Sequence, residues 1–271
     1  MPLAACATPI GNLDDVTLRV LAELRDADVV LCEDTRHTAA LLTRHGIPAA
    51  GRLRSYHQHN EAGRIDQLLR ELGAGARVAL VSDAGMPGVN DPGARLVAAA
   101  LAHGIAVTVL PGASAVETAL VASGLSGEQY RFVGYLPRRE AERSALWDEL
   151  ARWPHPVVAF ESAQRLPAVL ASLAGALPSR DAAVCRELTK RFEEVVRGTT
   201  SDLAARFADP PKGEITVVIG ADRTARPVGV DPSILAVLGE FVAEGVPRRR
   251  AAALVSRLTG LSTNALYSEG L

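Results

Sequence analysis

Residues 77–110 read RVALVSDAGMPGVNDPGARLVAAALAHGIAVTVL. Two apolar runs, 77–81 and 105–110, have the length and the β-branched residues that are typical of buried strands. Between them lie a loop of small and polar residues and a helical pattern that begins at Pro92. A strand, a helix and a second strand in this order indicate a crossover connection, which joins parallel strands. This unit therefore predicts an α/β fold with a parallel sheet.

The same alternation continues on both sides of this unit. Further strands are predicted at 3–7, 29–32 and 52–56, and helices begin at Thr17, Thr38, Glu61 and Ala113. After the small-residue stretch 124–127 the pattern restarts, with strands at 130–135, 157–160, 183–186, 195–198 and 215–219 and with helical patterns that end at Leu150 and begin at Leu166. We therefore expect a doubly wound N-terminal α/β domain over 1–125 and a second α/β domain over 126–221.

The last part of the chain has a purely helical pattern. Three short helical patterns begin at Asp231, Pro247 and Ser262, which predicts a small helical tail over 231–271. The helix, turn, helix order of the last two resembles a helix-turn-helix. Three consecutive arginines, Arg248-Arg249-Arg250, are the most local basic feature of the chain. They fit either an RNA-contacting arm or a solvated start of a helix.

Composition and charge exclude several classes of protein. The 271 residues are 48% hydrophobic, which is too apolar for a disordered chain. The 29 basic and 31 acidic residues leave a net charge of −2, so no global basic field points to nucleic acid or to a membrane. The longest apolar stretch, 96–110, is interrupted by His103-Gly104 and predicts no membrane span. Three separated cysteines, Cys6, Cys32 and Cys185, and the absence of a leader pattern favour a reducing cytoplasm.

Four loops that follow predicted strands carry the candidate chemistry. In parallel sheets, ligands bind at the carboxyl ends of the strands, so these loops are expected to meet. The first, Thr8-Pro-Ile-Gly-Asn12, contains a glycine that permits close approach to a ligand, and the second is Glu33-Asp34-Thr35-Arg36. The third, Ser82 to Gly93, offers exposed backbone groups and two carboxylates; the fourth is Pro111-Gly-Ala-Ser-Ala115. Together they predict a pocket at one edge of the sheet.

Several common sites are not supported by the motifs. The sequence has no G-x-x-x-x-G-K-[ST] pattern, and Gly73-Ala74-Gly75 precedes its strand, which is the wrong side for a dinucleotide turn. His57 and His59 have the spacing of two metal ligands, but no third ligand lies nearby in the sequence. We therefore expect no metal site, and a role for these histidines in a substrate loop or a helix cap.

Lysine is rare in this chain, and one lysine follows a predicted strand. Of 29 basic residues only Lys190 and Lys212 are lysines. An ammonium group can lose its proton, which a guanidinium does not do in proteins. Lys190 is therefore a candidate for proton transfer, and a solvated surface lysine is the alternative interpretation for both positions.

These motifs, taken in order, resemble the ribosomal small subunit methyltransferase I family of the tetrapyrrole methylase superfamily. The resemblance implies two α/β domains of the class III S-adenosylmethionine methyltransferase type. It also implies 2′-O-methylation of a cytidine (position 1402) in 16S rRNA of the 30S subunit, by a cytoplasmic homodimer that needs no metal and no membrane. The matching motifs are ATPIGNL (7–13), EDTRHT (33–38), HNE (59–61), the loop 82–93, PGASA (111–115), GYLP (134–137), RELTK (186–190) and GEI (213–215).

The resemblance also implies where the cofactor S-adenosylmethionine binds, namely in the cleft between the two domains. Its contacts would come from Pro9, Ile10, Gly11, Asp83, Gly85, Met86, Ser114, Ala115, Leu188 and Ile215. This set agrees with the residue chemistry, because adenosine and a zwitterion need backbone hydrogen bonds, small neighbours and carboxylates. A base must also accept the proton of the 2′-hydroxyl. The candidates are Lys190, if it is neutral, or Asp34 and Glu33, and the sequence does not choose among them.

Two other functions stay open at this point. A methyltransferase of the same fold could act on a tetrapyrrole, that is, on a precorrin or a uroporphyrinogen. A non-catalytic RNA-binding or ribosome-assembly module could retain the pocket without using it. The sequence does not distinguish naked rRNA from the assembled subunit as the substrate, and it does not indicate the dimer geometry.

Overall fold

The computed structural model describes residues 2–49, 51–222, 232–259, 261–263 and 266–267. Ten strands form two five-stranded sheets in this part of the chain. The first sheet has the order β3-β2-β4-β1-β5, and every neighbouring pair in it is parallel, as the sequence predicts. Its elements are β1 (Leu3–Cys6), α1 (Leu18–Asp26), β2 (Val29–Cys32), α2 (Thr35–Arg44), β3 (Leu53–Ser55), α3 (Glu61–Gly73), β4 (Val78–Val81), α4 (Ala94–Ala102), β5 (Val107–Leu110) and α5 (Ala115–Ser123).

The first sheet is buried on both faces. Every residue of β1, β2 and β4 is buried, which is the pattern of parallel strands that are covered by helices on both sides. Cys6 and Cys32 pack with α1 and α2 on one face, whereas Leu3 and Leu31 pack with α3 and α4 on the other. The carboxyl ends of β1 and β4, which are neighbours in the sheet, therefore place the first and third loops side by side.

The second sheet is mixed. Its order is β6-β7-β10-β8-β9, and only β6 and β7 run parallel. The connection between β8 and β9, residues 187–193, is too short for a crossover, so these strands pair antiparallel. The elements are β6 (Arg131–Tyr135), α6 (Glu140–Leu150), β7 (Val157–Ser162), α7 (Leu166–Ala176), β8 (Asp181–Arg186), β9 (Glu194–Thr199), α8 (Thr200–Arg206) and β10 (Glu214–Ile219).

Helix α5 joins the two sheets. Val116, Ala119 and Leu120 of this helix pack against the second sheet at Val158 and Val218. The opposite face of that sheet packs against α6, α7 and α8 in a separate core. The first half of the chain therefore supplies one layer of the second half, and the loop that begins α5 lies between the sheets.

The helical tail has its own small core. Helices α9 (Pro232–Ala243) and α10 (Arg248–Thr259) pack through Leu238, Ala252 and Val255. The predicted start at Asp231 and residues 223–230 lie outside the described residues, as does most of the segment after 263. No helix within the described ranges combines the length and the apolar character needed to cross a membrane.

Candidate active site

A cleft of about 1020 Å³ lies between the carboxyl edge of the first sheet and the second sheet. All four loops of the sequence analysis contribute residues to one side of it, the first loop through Ile10, and β6, β7 and β10 line the other side. The predicted cofactor residues that line this cleft are Ile10, Asp83, Gly85, Met86, Ser114, Ala115, Leu188 and Ile215. Pro9 and Gly11 are not among the lining residues. The cofactor contacts themselves stay predictions.

The floor of the cleft is held by backbone hydrogen bonds between the first and third loops. The Thr8 N–H donates to the Gly85 carbonyl at 2.9 Å, and the Gly85 N–H donates to the Thr8 carbonyl at 3.0 Å. The Ser82 hydroxyl donates to the same Gly85 carbonyl at 3.1 Å. Gly85 has a φ of +79°, which lies in the left-handed region that favours glycine. This pairing fixes the third loop beside Ile10 at the bottom of the cleft.

Six carboxylate residues line this space: Glu33, Asp83 and Asp91 on the side of the first sheet, and Glu117, Glu161 and Glu214 from α5 and the second sheet. Burial, together with the charges of Glu33 and Asp83, raises the pKa of Asp91 to about 6. Burial and the charge of Asp83 also raise the pKa of Glu33, and His57 partly offsets this. The cleft therefore concentrates negative charge in a partly buried place, which favours a cationic ligand or a bound proton.

The deeper wall of the cleft is apolar. Leu188 and Ile215 are 7% and 3% exposed. Leu188 packs with Ile10 and Cys185 in the core that joins the two halves, whereas Ile215 packs in the core on the opposite face of the second sheet. Ser114 and Ala115 lie opposite, at the start of α5. Small and apolar groups around a flat space are suited to a nucleoside.

Gly11 lies where the first loop touches the loop after β8. A Cβ at residue 11 would lie 2.9 Å from the Leu188 carbonyl oxygen and 2.5 Å from Cγ of Lys190. The neighbouring Asn12 N–H donates to Oγ1 of Thr189 at 3.0 Å. Glycine is therefore needed at 11 because the first loop and the loop after β8 touch there, which sets the distance between the two walls.

Lys190 is held in two ion pairs and is not among the lining residues. Its Nζ donates to Oε1 of Glu187 at 3.0 Å and to Oε2 of Glu214 at 2.8 Å. Burial lowers the pKa of Lys190, but the two hydrogen bonds outweigh burial and raise the pKa above its ordinary value. Lys190 can act as a base only when it is neutral, and these two ion pairs favour its charged form. Glu187 and Thr189 have positive φ angles, so the loop that carries Lys190 is strained.

The two acidic candidates differ in their surroundings. Asp34 is the N-cap of α2, where it accepts a hydrogen bond from the Arg36 N–H at 2.8 Å. The Arg36 guanidinium holds the pKa of Asp34 well below its ordinary value. Asp34 is not among the lining residues, whereas Glu33 is. Of the three candidate bases, only Glu33 combines a place in the cleft with a raised pKa.

Other predicted features have structural roles. His57 begins the turn into α3, where its N–H donates to Oδ1 of Asn60 at 2.9 Å. Within the described residues, no group of three or more His, Cys, Asp or Glu side chains is arranged around a metal position. Arg248 packs its guanidinium over the Tyr267 ring at 5.2 Å and donates to the Tyr267 carbonyl. Arg248 therefore ties the tail together, while Arg249 and Arg250 are exposed.

Sequence reasoning missed an aromatic wall. Phe132, Tyr135 and Phe160 line the cleft from β6 and β7. The rings of Phe132 and Phe160 meet edge to face at 4.9 Å, and those of Tyr135 and Phe160 at 5.7 Å. A glycine inside a strand pattern, Gly134, was the available signal, since such glycines often mark a bulge.

The two sheets and the cleft between them are the architecture of a methylase. The model of the tetrapyrrole (corrin/porphyrin) methylases matches residues 3–204. A structure of uroporphyrin-III C-methyltransferase from Thermus thermophilus, complexed with S-adenyl homocysteine, has the same fold. Its TM-score is 0.57 at 20% identity, over 80% of this chain and 96% of that one.

Two curated relatives show which family of methylases the chain belongs to. Ribosomal RNA small subunit methyltransferase I of Micromonospora olivasterospora is 45% identical over 265 residues, which are 97% of this chain and 84% of the relative. The protein of the same name in Mesorhizobium japonicum is 44% identical over 266 residues, which are 96% of this chain and 88% of that relative. The chain belongs to the ribosomal RNA small subunit methyltransferase I family. The expected fold class, two α/β units of the class III methyltransferase type, is confirmed.

Proposed function

We propose that this chain transfers a methyl group from S-adenosylmethionine to the 2′-oxygen of a cytidine ribose in 16S rRNA. The proposal includes a homodimer that works in the cytoplasm on the small ribosomal subunit, with domains at 1–125 and 126–221 and a helical tail. One observation carries it beyond family membership: a single cleft combines carboxylates, a glycine-rich floor and a buried apolar wall. The tetrapyrrole alternative has less support, because the curated relatives are named as rRNA methyltransferases.

The cleft fits the cofactor in size and in chemistry. Its volume of about 1020 Å³ is at the upper end of the range for small-molecule sites, which leaves room for a nucleotide beside the cofactor. Leu188 and Ile215 would lie beside the adenine, and Asp83 would bind the polar end of the cofactor. The carboxylates that line the cleft favour a ligand with positive charge. S-adenosylmethionine supplies, when bound, a methyl group on a positively charged sulfur.

Catalysis by this chain would consist of alignment and proton acceptance. The walls are joined at Gly11 and Thr189, so the two halves of the cleft keep a fixed spacing. Such positioning supplies a large part of the acceleration in group transfer. We assign the acceptance of the 2′-hydroxyl proton to Glu33, since its raised pKa and its place in the cleft suit a base near neutral pH.

The rRNA would meet exposed cations outside the cleft. Arg249 and Arg250 at the start of α10 are exposed, as is Lys212 in the loop before β10. Cations of this kind bind phosphates without reading the base sequence. They would contribute a salt-dependent part of the affinity for the subunit.

Transfer of label from tritiated S-adenosylmethionine tests the proposal. The acceptors are 30S subunits without this methyl group, naked 16S rRNA and uroporphyrinogen. We expect label in RNA and none in the tetrapyrrole. Label in the tetrapyrrole alone would refute the proposal, and RNA binding without any label would favour a non-catalytic module. Glu33→Gln should slow the transfer about a hundredfold, while Glu142→Gln, which changes an exposed glutamate of α6, is the matched control.

A further inference from the structure

An irregularity in β6 turns one aromatic side chain into the cleft. β6 pairs with β7 in regular register up to Phe132, and the register then shifts before Tyr135 pairs with Phe160. Gly134, inside the shift, has a φ of +68°. In a regular strand, side chains alternate, and residues 132 and 135 would lie on opposite faces. The bulge instead puts Tyr135 on the face of Phe132 and Phe160, which is the usual effect of a bulge beside a functional site.

The third loop packs against this bulge. A Cβ at position 134 would lie 3.1 Å from Oδ1 of Asn90, so glycine is needed for the contact as well as for the backbone angle. Asn90 itself has a φ of +63°, which is uncommon for a residue with a side chain. Asn90 and Gly134, two strained positions on opposite walls, therefore contact each other at the cleft. This contact fixes the position of the neighbouring Tyr135 ring.

The Tyr135 ring is supported on one side and open on the other. It is 58% exposed although it lines the cleft, and the Phe160 ring supports it. The wall at Leu188 and Ile215, by contrast, is 7% and 3% exposed. The cofactor would occupy that buried wall, so the open face of Tyr135 is available to a second flat ligand nearer the solvent.

Charge around Tyr135 indicates which kind of flat ligand fits. Asp91, Glu161 and Glu214 line the same cleft as Tyr135, so negative groups lie around its hydroxyl. Burial and these carboxylates raise the pKa of the Tyr135 hydroxyl. Such surroundings repel phosphate and accept N–H donors. Cytosine offers an exocyclic amine with two N–H donors and a flat ring, which suits these surroundings.

We propose that Tyr135 is a nucleobase subsite: the base of the target nucleotide leaves its stack and lies against the Tyr135 ring, which brings its ribose to the carboxylate side of the cleft. This inference rests on the proposed function. Proteins bind unstacked RNA bases on exposed aromatic rings, and enzymes that modify a nucleotide commonly extrude it first. Phe160 holds the ring from behind, and the bulge at Gly134 sets its direction.

Two substitutions at Tyr135 and one control test the subsite. Tyr135→Leu removes the ring, Tyr135→Phe keeps it, and Phe192→Leu removes a ring that is 67% exposed and not among the residues lining the cleft. The readouts are kcat/KM for 30S subunits, from tritium transfer, and the Kd of S-adenosylmethionine, from calorimetry. Stacking on an aromatic side chain is worth ~1–3 kcal/mol per base, so Tyr135→Leu should lower kcat/KM about 5- to 140-fold. Donor Kd should stay within about twofold, and Tyr135→Phe and Phe192→Leu should resemble the wild type.

Each other outcome overturns the inference. Unchanged kcat/KM in Tyr135→Leu means that no base stacks there. A loss of donor affinity that matches the loss of kcat/KM assigns the ring to the cofactor instead. Equal losses in Tyr135→Phe and Tyr135→Leu assign the effect to the hydroxyl. A wild-type enzyme that labels no RNA at all refutes the proposed function itself, which separates that failure from a failure of the subsite.

Discussion

Asp91→Asn should raise the free energy of unfolding at neutral pH, and it removes one carboxylate from the cleft. The pKa of Asp91 rises from 3.8 to about 6 on folding, because the carboxylate is buried beside Glu33 and Asp83. The folded state therefore holds this proton more tightly than the unfolded chain does. Stability is unaffected below about pH 4, falls as the pH rises towards 6, and stays lower above it. A rise in pKa of this size corresponds to a loss of about 3 kcal/mol in the free energy of unfolding at neutral pH. Partial exposure of the carboxylate reduces this loss to about 1–2 kcal/mol.

Urea unfolding followed by circular dichroism measures this effect. At pH 7.5 the free energy of unfolding of Asp91→Asn should exceed that of the wild type by about 1–2 kcal/mol, and at pH 4 the difference should fall below about 0.5 kcal/mol. Asp148→Asn, at an exposed position of α6, is the matched control, and it should change the free energy of unfolding by less than about 0.5 kcal/mol. Equal stabilisation at both pH values, or destabilisation at pH 7.5, would refute the assignment of Asp91 as a carboxylate held under unfavourable charge.

Three further predictions concern the walls and the base. Gly85→Val should weaken the binding of S-adenosylmethionine at least about tenfold, because a β-branched residue does not tolerate a φ of +79°; calorimetry with wild-type affinity in a folded variant would contradict the floor assignment. Gly11→Ala should lower the free energy of unfolding by about 1–3 kcal/mol, because the added Cβ would collide with the loop after β8. Gly63→Ala, with open space around it, is the control and should not destabilise the protein. Equal effects of the two variants in thermal unfolding would contradict the importance of the loop contact. In Lys190→Arg, the single-turnover rate should still rise with pH, as it does when a base loses its proton. In Glu33→Gln, this rise should disappear and the rate should fall about a hundredfold. The reverse pattern would make Lys190 the base.

The first sheet was predictable because its signals are local. β1, β2 and β4 are short runs in which every residue is apolar and buried, and helices separate them. The rule that ligands lie at strand carboxyl ends then brought the four loops together without any tertiary information. Helix α8 was missed although Thr199 and Asp202 form a capping box, because its seven residues are too few for a periodic pattern.

The details of the site depend on contacts that a single sequence does not reveal. Lys190 pairs with Glu214, 24 residues away, across antiparallel strands whose register only the folded sheet defines. This contact and the ion pair with Glu187 favour the charged form of Lys190, which weighs against Lys190 as the base. Tyr135 faces the cleft because the pairing of β6 slips at Gly134, and regular alternation predicts the opposite face. In both cases a tertiary constraint outweighs the local pattern.

The position of the transferred methyl group in the RNA tests the central claim most directly. The 16S rRNA from 30S subunits that were methylated by this chain is digested to nucleosides and to alkali-resistant fragments, and both are analysed by mass spectrometry. We expect one methyl group per subunit, as 2′-O-methylcytidine, next to a single phosphodiester bond that resists alkali because the neighbouring 2′-oxygen is blocked. A methyl group on a base, or methyl groups at many riboses, would contradict this claim.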